Sequence, residues 1–367
     1  MTPLPCLTDD ACVAPAEHPP ALTYPFAVTP PPGTILTVAP GVHWLRMPLP
    51  GGLDHINLWT IDEGQGWAVV DTGMRTDEAA DIWQRLCAQK SSSQPITRIL
   101  VTHMHVDHVG MTGWLTRRFG CPLWMTRQEY FQCRLNASDT GREAPQDHVD
   151  FHRRAGWSDT AIEGYCTRFF GRYGVLTHAL PDSYRRLRDG DEIILGDHVW
   201  CVIVGMGHSP EHACLYCPAL KLFIAGDQVL PRISSNVSVL PLEPWANPMA
   251  DWYASMARLK REVPDDVLVL PSHNECFRGL HARIDQLVHG QDMVLERLRR
   301  ALRTPCRAVD VFGALFARRV NESNLLQLSL ATGESLACLN YLIARGEAMK
   351  EQRNDGATWY SLTATSP

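Results

Sequence analysis

Residues 101–110 read Val-Thr-His-Met-His-Val-Asp-His-Val-Gly, so His103, His105, Asp107 and His108 fall within six consecutive positions. The segment follows an apolar run at 96–101 with a buried-strand pattern and precedes helical periodicity at 110–119. Three imidazoles and a carboxylate at one strand end are costly to leave without a partner. Their lone pairs must be solvated or bonded, and a borderline metal ion accepts both nitrogen and oxygen donors. The segment therefore reads as a metal-ligand cluster at a strand-to-helix junction.

Composition bounds the rest. With 367 residues, 45% of them hydrophobic, the chain has room for two domains or one large core with an appendage. It needs no disulfide or metal merely to fold. A formal charge of −6 gives no electrostatic footprint for nucleic acid. No run of about 18 apolar residues is present, so no membrane crossing is expected. Residues 1–20 lack a basic head and an apolar stretch, which predicts no secretory signal and a cytoplasmic location. Of the 12 cysteines, Cys214 and Cys217 form a close pair. They lie in the apolar run 213–220, and a lone C-x-x-C there reads as buried strand positions rather than a zinc site.

Twelve of the 26 prolines lie in the first fifty residues, and residues 1–33 read as an extended Pro-rich arm. Short β-prone runs follow at 34–38, 43–47, 55–61 and 67–70, then helical periodicity at 76–89. Residues 127–187 are polar, aromatic and Arg-rich, with helical periods broken at Gly141, Gly156 and Gly171. This helical insertion is a candidate lid, and Tyr130, Phe131, Trp157, Phe169, Phe170 and Tyr173 are its candidate acyl contacts. Strands resume at 192–195, 199–204, 213–216, 222–225 and 267–270, with helices at 251–261 and 280–302. Thr304-Pro305 marks a boundary. Beyond it, helices at 309–318, 324–330 and 334–345 and a hairpin ending at 358–362 predict a winged-helix-like unit over 304–367.

Four further strand-end motifs carry chemistry. Asp71 closes Ala68-Val69-Val70-Asp71, and His208 lies in Gly207-His208-Ser209-Pro210. Asp227 closes Ile224-Ala225-Gly226-Asp227, and His273 lies in Leu270-Pro271-Ser272-His273. With the H-x-H-x-D-H segment, these resemble the metallo-β-lactamase-fold hydrolases of the broad glyoxalase II and lactonase group, over roughly residues 34–303. The resemblance implies an α+β fold, a four-layer αβ/βα sandwich with metals at one edge of its two sheets. It implies one metal held by His103, His105 and His208. A second would be held by Asp107, His108 and His273, with Asp227 bridging. Zinc is the expected ion, with iron or manganese as alternatives. Asp71 is expected to accept a hydrogen bond from a ligand imidazole and fix its tautomer. Glu211, His212, Ser234, Ser235 and Asn236 are weaker candidates, with ordinary loop roles as the competing reading.

Two dications against two carboxylates leave a net positive site suited to an anionic transition state, with hydroxide made available near neutral pH. Asp107 or the second metal is expected to assist the leaving group, and Asp227 is the second catalytic carboxylate. The expected activity is hydrolysis of a small ester-type bond: thioester, lactone or carboxylic ester. The alternative is a phosphodiesterase or RNA endonuclease, because some relatives with a winged-helix tail cleave RNA. However, the predicted recognition helix 334–345 carries one Arg among apolar residues, too few cations for phosphate binding. Packing against the catalytic domain, or a homodimer contact, is the preferred role for the tail. A redox role on iron is disfavoured because no flavin domain is attached and both His108 and His273 are present.

Overall fold

The computed structural model describes residues 22–64, 66–89, 94–317 and 319–364. Most of the predicted Pro-rich arm lies outside them. Apolar residues at consecutive strand positions let the central strands face two cores at once. Strands β1 (Ile35–Ala39), β2 (Val42–Pro48), β3 (His55–Glu63), β4 (Gly66–Val70), β5 (Ile96–Leu100), β6 (Leu123–Met125) and β7 (Arg185–Arg186) form one sheet in that order. Strands β8 (Glu192–Leu195), β9 (His198–Gly205), β10 (His212–Cys217), β11 (Leu222–Gly226) and β12 (Leu268–Pro271) form the second, in the order 12-11-10-9-8. Trp44, Trp59 and Val70 from the first sheet meet Trp200, Leu215 and Ile224 from the second in the inner core. Their neighbours Leu45, Leu58 and Val69 point outward, beneath Ile82, Trp83 and Leu86 of helix Asp77–Gln89. On the other side, Phe223 and Val269 pack under helices Pro248–Glu262 and Leu280–Ala301. The result is the expected four-layer αβ/βα sandwich.

Cys214 and Cys217, three residues apart on β10, lie in cores on opposite faces of the sheet. They serve as buried strand positions and do not form a joint site.

The topology aligns strand ends. Strand β4 runs parallel to β5, and β11 parallel to β12, so Asp71, residues 101–108, Asp227 and His273 emerge at one edge. Backbone bonds between the sheets pin that edge: Ala213 N donates to Thr102 O at 2.9 Å and Asn57 N to Ser272 O at 2.6 Å.

The insertion folds as helices Arg127–Ser138, Gln146–Ala155 and Asp159–Gly164, a π-helical turn at Tyr165–Phe169 and a last turn at Tyr173–Leu176. It returns through β7, which pairs parallel with β6. A two-residue strand of arginines carries no apolar pattern, which is why the sequence does not announce it. Most of the predicted acyl contacts serve packing. Tyr130 stacks on Tyr184 at 3.9 Å, Phe169 and Phe170 lie against Tyr165, and Trp157 Nε1 donates to Thr332 Oγ1 at 2.9 Å. Phe131 is 57% exposed.

The C-terminal unit differs from the three-helix expectation. A 3₁₀ turn Ala308–Val311 leads into a short helix Phe312–Leu315. The predicted segments 324–330 and 334–345 are one continuous helix, Leu325–Ala344. Strands β13 (Ala348–Gln352) and β14 (Thr358–Leu362) then form the expected hairpin. Leu336, Leu339 and Leu342 of the long helix join the core beneath the second sheet, and Asn340 Nδ2 donates to Pro244 O and Ala246 O. Much of the helix surface that the nucleic-acid alternative would need is therefore spent on packing. Among the described residues, no helix is long and apolar enough to cross a membrane.

Candidate metal centre

The strand-end residues converge in two groups. In the first, His103 Nε2 lies 2.8 Å from His105 Nδ1 and 3.2 Å from His208 Nε2, with Asp227 Oδ2 3.4 Å from His208 Nε2. In the second, His273 Nε2 and His108 Nε2 lie 3.5 and 3.7 Å from Asp107 Oδ2. Asp227 stands between the groups. Its Oδ2 is 3.5 Å from His108 Nε2 and its Oδ1 is 3.5 Å from His273 Nε2.

The far nitrogens of the rings fix which atoms face inward. His108 Nδ1 donates to Asp71 Oδ2 at 2.8 Å, His208 Nδ1 to Asn236 O at 2.7 Å, and His273 Nδ1 to His55 O at 2.9 Å. Asp71 also accepts from Thr102 N and Thr102 Oγ1, both at 2.8 Å, which ties it to the strand carrying the ligand segment. Asp71 and Asn274 adopt φ of 60° and 68°, a left-handed backbone unusual outside glycine, at two of the converging loops.

The donor set fits cations. With Nδ1 carrying the proton, His208 points a lone pair at His103 Nε2, and two lone pairs at 3.2 Å repel unless a proton or cation lies between them. His108 Nε2, His273 Nε2 and Asp227 Oδ1 are buried without a hydrogen-bond partner. Spacings of 3.2–3.7 Å resemble the edge of a tetrahedron, roughly 3.3 Å, whose corners sit about 2.0 Å from a central ion.

Electrostatics separate the groups. Burial, reinforced by the neighbouring imidazoles, drives His103 far below its ordinary pKa; burial and His208 take His105 down to about 3. In the second group, burial also disfavours charge, but carboxylates outweigh it. Asp227 and Asp107 raise His273 to about 10 and lift His108 well above its ordinary value. In return, and against burial, His108 and His273 bring Asp107 down to about 2. The same two imidazoles hold Asp227 well below the usual carboxylate range.

Further residues surround the centre, and the one without any sequence signal is Glu129. Glu129, fully buried on helix Arg127–Ser138, accepts from Met104 N at 2.9 Å, Ser209 Oγ at 2.7 Å and Glu211 N at 2.7 Å. One carboxylate thus joins the loops that carry His103, His105 and His208. Tyr173 Oη donates to Met104 O at 2.6 Å, so the insertion holds both backbone polar groups of Met104, between His103 and His105. His212 is fully buried, stacks 4.7 Å from His103, and its Nε2 accepts from Asp227 N at 3.1 Å. Gly226 has φ 55°, and a Cβ there would collide with the His212 ring. Glu211 accepts from Gln128 N and Thr126 Oγ1 rather than facing the ligands. Ser235 Oγ donates to Asp227 O, and Ser234 is exposed.

Comparison with known proteins agrees with this geometry. A sequence model described as Metallo-beta-lactamase superfamily matches residues 51–273, and one described as Metallo-beta-lactamase-like, C-terminal domain matches residues 295–363. The crystal structure of a beta-lactamase domain protein from Burkholderia ambifaria is 41% identical with a TM-score of 0.86, covering 93% of this chain and 98% of that one. The probable metallo-hydrolase YqjP of Bacillus subtilis is 25% identical over 79% of this chain and 89% of its own length. A hydroxyacylglutathione hydrolase of Rhizobium etli is 25% identical over 48% of each chain.

Proposed function

This chain belongs to the metallo-beta-lactamase superfamily, and from that premise we propose that it is a dinuclear metal hydrolase of a small ester-type substrate, a thioester first, with lactones and carboxylic esters in the same class. The observation that carries this reading is the convergence of two donor groups on Asp227, with buried nitrogen and oxygen atoms left unpartnered. His103, His105 and His208 would hold one divalent ion, and Asp107, His108 and His273 a second, with Asp227 shared. When bound, such ions supply Lewis-acid polarisation of a substrate oxygen and hydroxide near neutral pH. Zinc is the first candidate, because three imidazoles with a carboxylate suit it.

The chain's own groups do the rest. Asp71 Oδ2, Asn236 O and His55 O hold the Nδ1 protons of His108, His208 and His273, so Nε2 is the atom that each ring turns toward the metal positions. Asp107 and Asp227 stay ionised across neutral pH, so they can act as anionic ligands and hydrogen-bond acceptors rather than as general acids. Placing Asp107 on the leaving group is therefore not part of this reading. No serine or cysteine nucleophile is required.

Similarity to a relative named for hydrolysis of hydroxyacylglutathione, an acyl thioester, supports thioesters first. The test is metal analysis together with a panel of acyl-glutathione and acyl-coenzyme A thioesters, acyl-homoserine lactones, aryl esters, bis-p-nitrophenyl phosphate and single-stranded RNA. Turnover of thioester, lactone or ester at two metals per chain supports the reading. Activity confined to the phosphodiester or RNA overturns it.

A further inference from the structure

The long helix of the C-terminal unit reaches the metal centre through a single residue of the loop after β11. His208 Nδ1 is held by the carbonyl of Asn236 at 2.7 Å. The side-chain amide of Asn236 is held at both ends: Nδ2 donates to Glu334 Oε2 at 2.8 Å, and Oδ1 accepts from Ser238 Oγ. One residue earlier on the helix, Gly333 O accepts from Val239 N at 3.0 Å. A Cβ at Gly333 would lie 2.7 Å from Ser238 Oγ and 3.0 Å from Val239 O. Only glycine lets the helix approach this closely, and the approach brings Glu334 within reach of Asn236. Burial pushes the Glu334 carboxyl up to about 7, and among the described residues no lysine or arginine pairs with it. Burying an acid without a cation costs stability, and the hydrogen bond from Asn236 Nδ2 offsets part of that cost.

We propose that Glu334 is a positioning residue for the metal centre, fixing His208 through the Glu334–Asn236–His208 chain of hydrogen bonds, so that the C-terminal unit is a working part of the site. The proposal rests on His208 being a metal ligand. It requires an acceptor at Glu334, not a charge.

The test uses the full-length protein with zinc and cobalt as probes, measuring affinity by chelator competition and ligand geometry by the visible spectrum of the cobalt form. Removing a group that orients a ligand weakens metal binding about 10–100-fold. At one bond further removed, Glu334→Ala is expected to weaken one of the two metals roughly 3–30-fold and alter the cobalt spectrum. Glu334→Gln, which keeps an acceptor oxygen, should stay within about twofold of the parent protein. Asn236→Ala should match Glu334→Ala, and the double variant should be no worse than either single, because both break one chain. Should Glu334→Ala fail to fold, Asn236→Ala carries the same expectation with the helix intact. Parent-like affinity and spectrum in the folded alanine variants would overturn the proposal. So would losses that multiply in the double variant, or an equal loss in Glu334→Gln. His208→Ala separates the premise: if it keeps both metals, the ligand assignment has failed. If it loses one metal while Glu334→Ala loses nothing, only the positioning role has failed.

Discussion

The two donor groups use the same imidazole chemistry and sit a few ångströms apart, yet they rest in opposite protonation states. His103 and His105 are neutral because burial and neighbouring rings penalise any added charge. His108 and His273 hold a proton because Asp107 and Asp227 face them. The first group is ready for a cation at neutral pH, whereas the second must release protons to accept one. Asp227 is the largest raising influence on both imidazoles of the second group.

The most severe way to break this contrast is to remove that carboxylate. Asp227→Ala takes the shared anion from both groups, leaving His273 with Asp107 as its remaining carboxylate. Loss of several kcal/mol of charge stabilisation corresponds to roughly a 10³-fold drop in kcat/KM. Metal analysis should find fewer than two ions per chain. A variant that keeps both ions and near-parent turnover would contradict the shared role.

The contrast is sharpened by pH. A group with a raised pKa keeps its proton through the neutral range, so each metal entering the second group displaces the protons of His108 and His273. Apparent affinity there should rise steeply with pH from neutrality upward, toward about 100-fold per pH unit where both protons are displaced. The first group should show a shallower slope, because burial and neighbouring rings leave His103 and His105 with no extra proton to displace. Chelator competition at stepped pH resolves the two, and equal slopes would refute the assignment. The metal-free protein follows the sign of the same shifts. Stability contributed by His273 is complete below its ordinary pKa near 6.5 and is lost as pH rises through about 10. Stability contributed by Asp107 is present above its ordinary pKa near 3.8 and is lost as pH falls through about 2.

The groups can also be weakened one at a time through their supports. Glu129 bonds to Met104 N, Ser209 Oγ and Glu211 N, beside the ligands of the first group, while Asp71 bonds to His108 in the second. Glu129→Ala is expected to weaken the first metal about 10–100-fold, and Asp71→Asn the second by about tenfold, each largely sparing the other. Binding isotherms for both ions in each variant check this crossed pattern. A uniform loss in either variant would mean that the supports act on the fold rather than on one group.

These supports mark where the sequence stops being readable. Each metal-facing residue is a His or Asp at the end of an apolar strand, and Asp71 is marked in the same way, so local pattern suffices. Glu129 follows Arg127 and Gln128 on a helix with little amphipathic contrast, and in sequence it is indistinguishable from a solvated acid. Its contacts with the loops at Met104 and Ser209–Glu211 are what enclose it. Glu334 looks like the first-turn acid of a helix starting there, because Gly333 reads as a break. The helix instead runs through Gly333, since packing against Ser238 and Val239 supplies what the missing side chain cannot. His212 looks like a loop residue but opens β10. Local periodicity carries no information about such long-range contacts.

The smallest effect tests the insertion's second contact with the first group. Tyr173 has one hydroxyl proton, and Met104 O at 2.6 Å is a far better acceptor than the Cys133 sulfur at 3.0 Å. Tyr173→Phe removes that bond from a carbonyl whose other neighbour is the Cys133 thiol, at 3.9 Å and a weak donor. A net loss of about 1 kcal/mol in unfolding free energy is expected for one such bond. The peptide N–H of Met104 keeps its bond to Glu129, so His103 and His105 should hold their places. Denaturant unfolding with metal titration on one preparation distinguishes the outcomes. Lower stability with unchanged affinity fits a brace shared between two contacts, whereas a first-group metal weakened as strongly as in Glu129→Ala would show that Tyr173 sets that loop as much as Glu129 does.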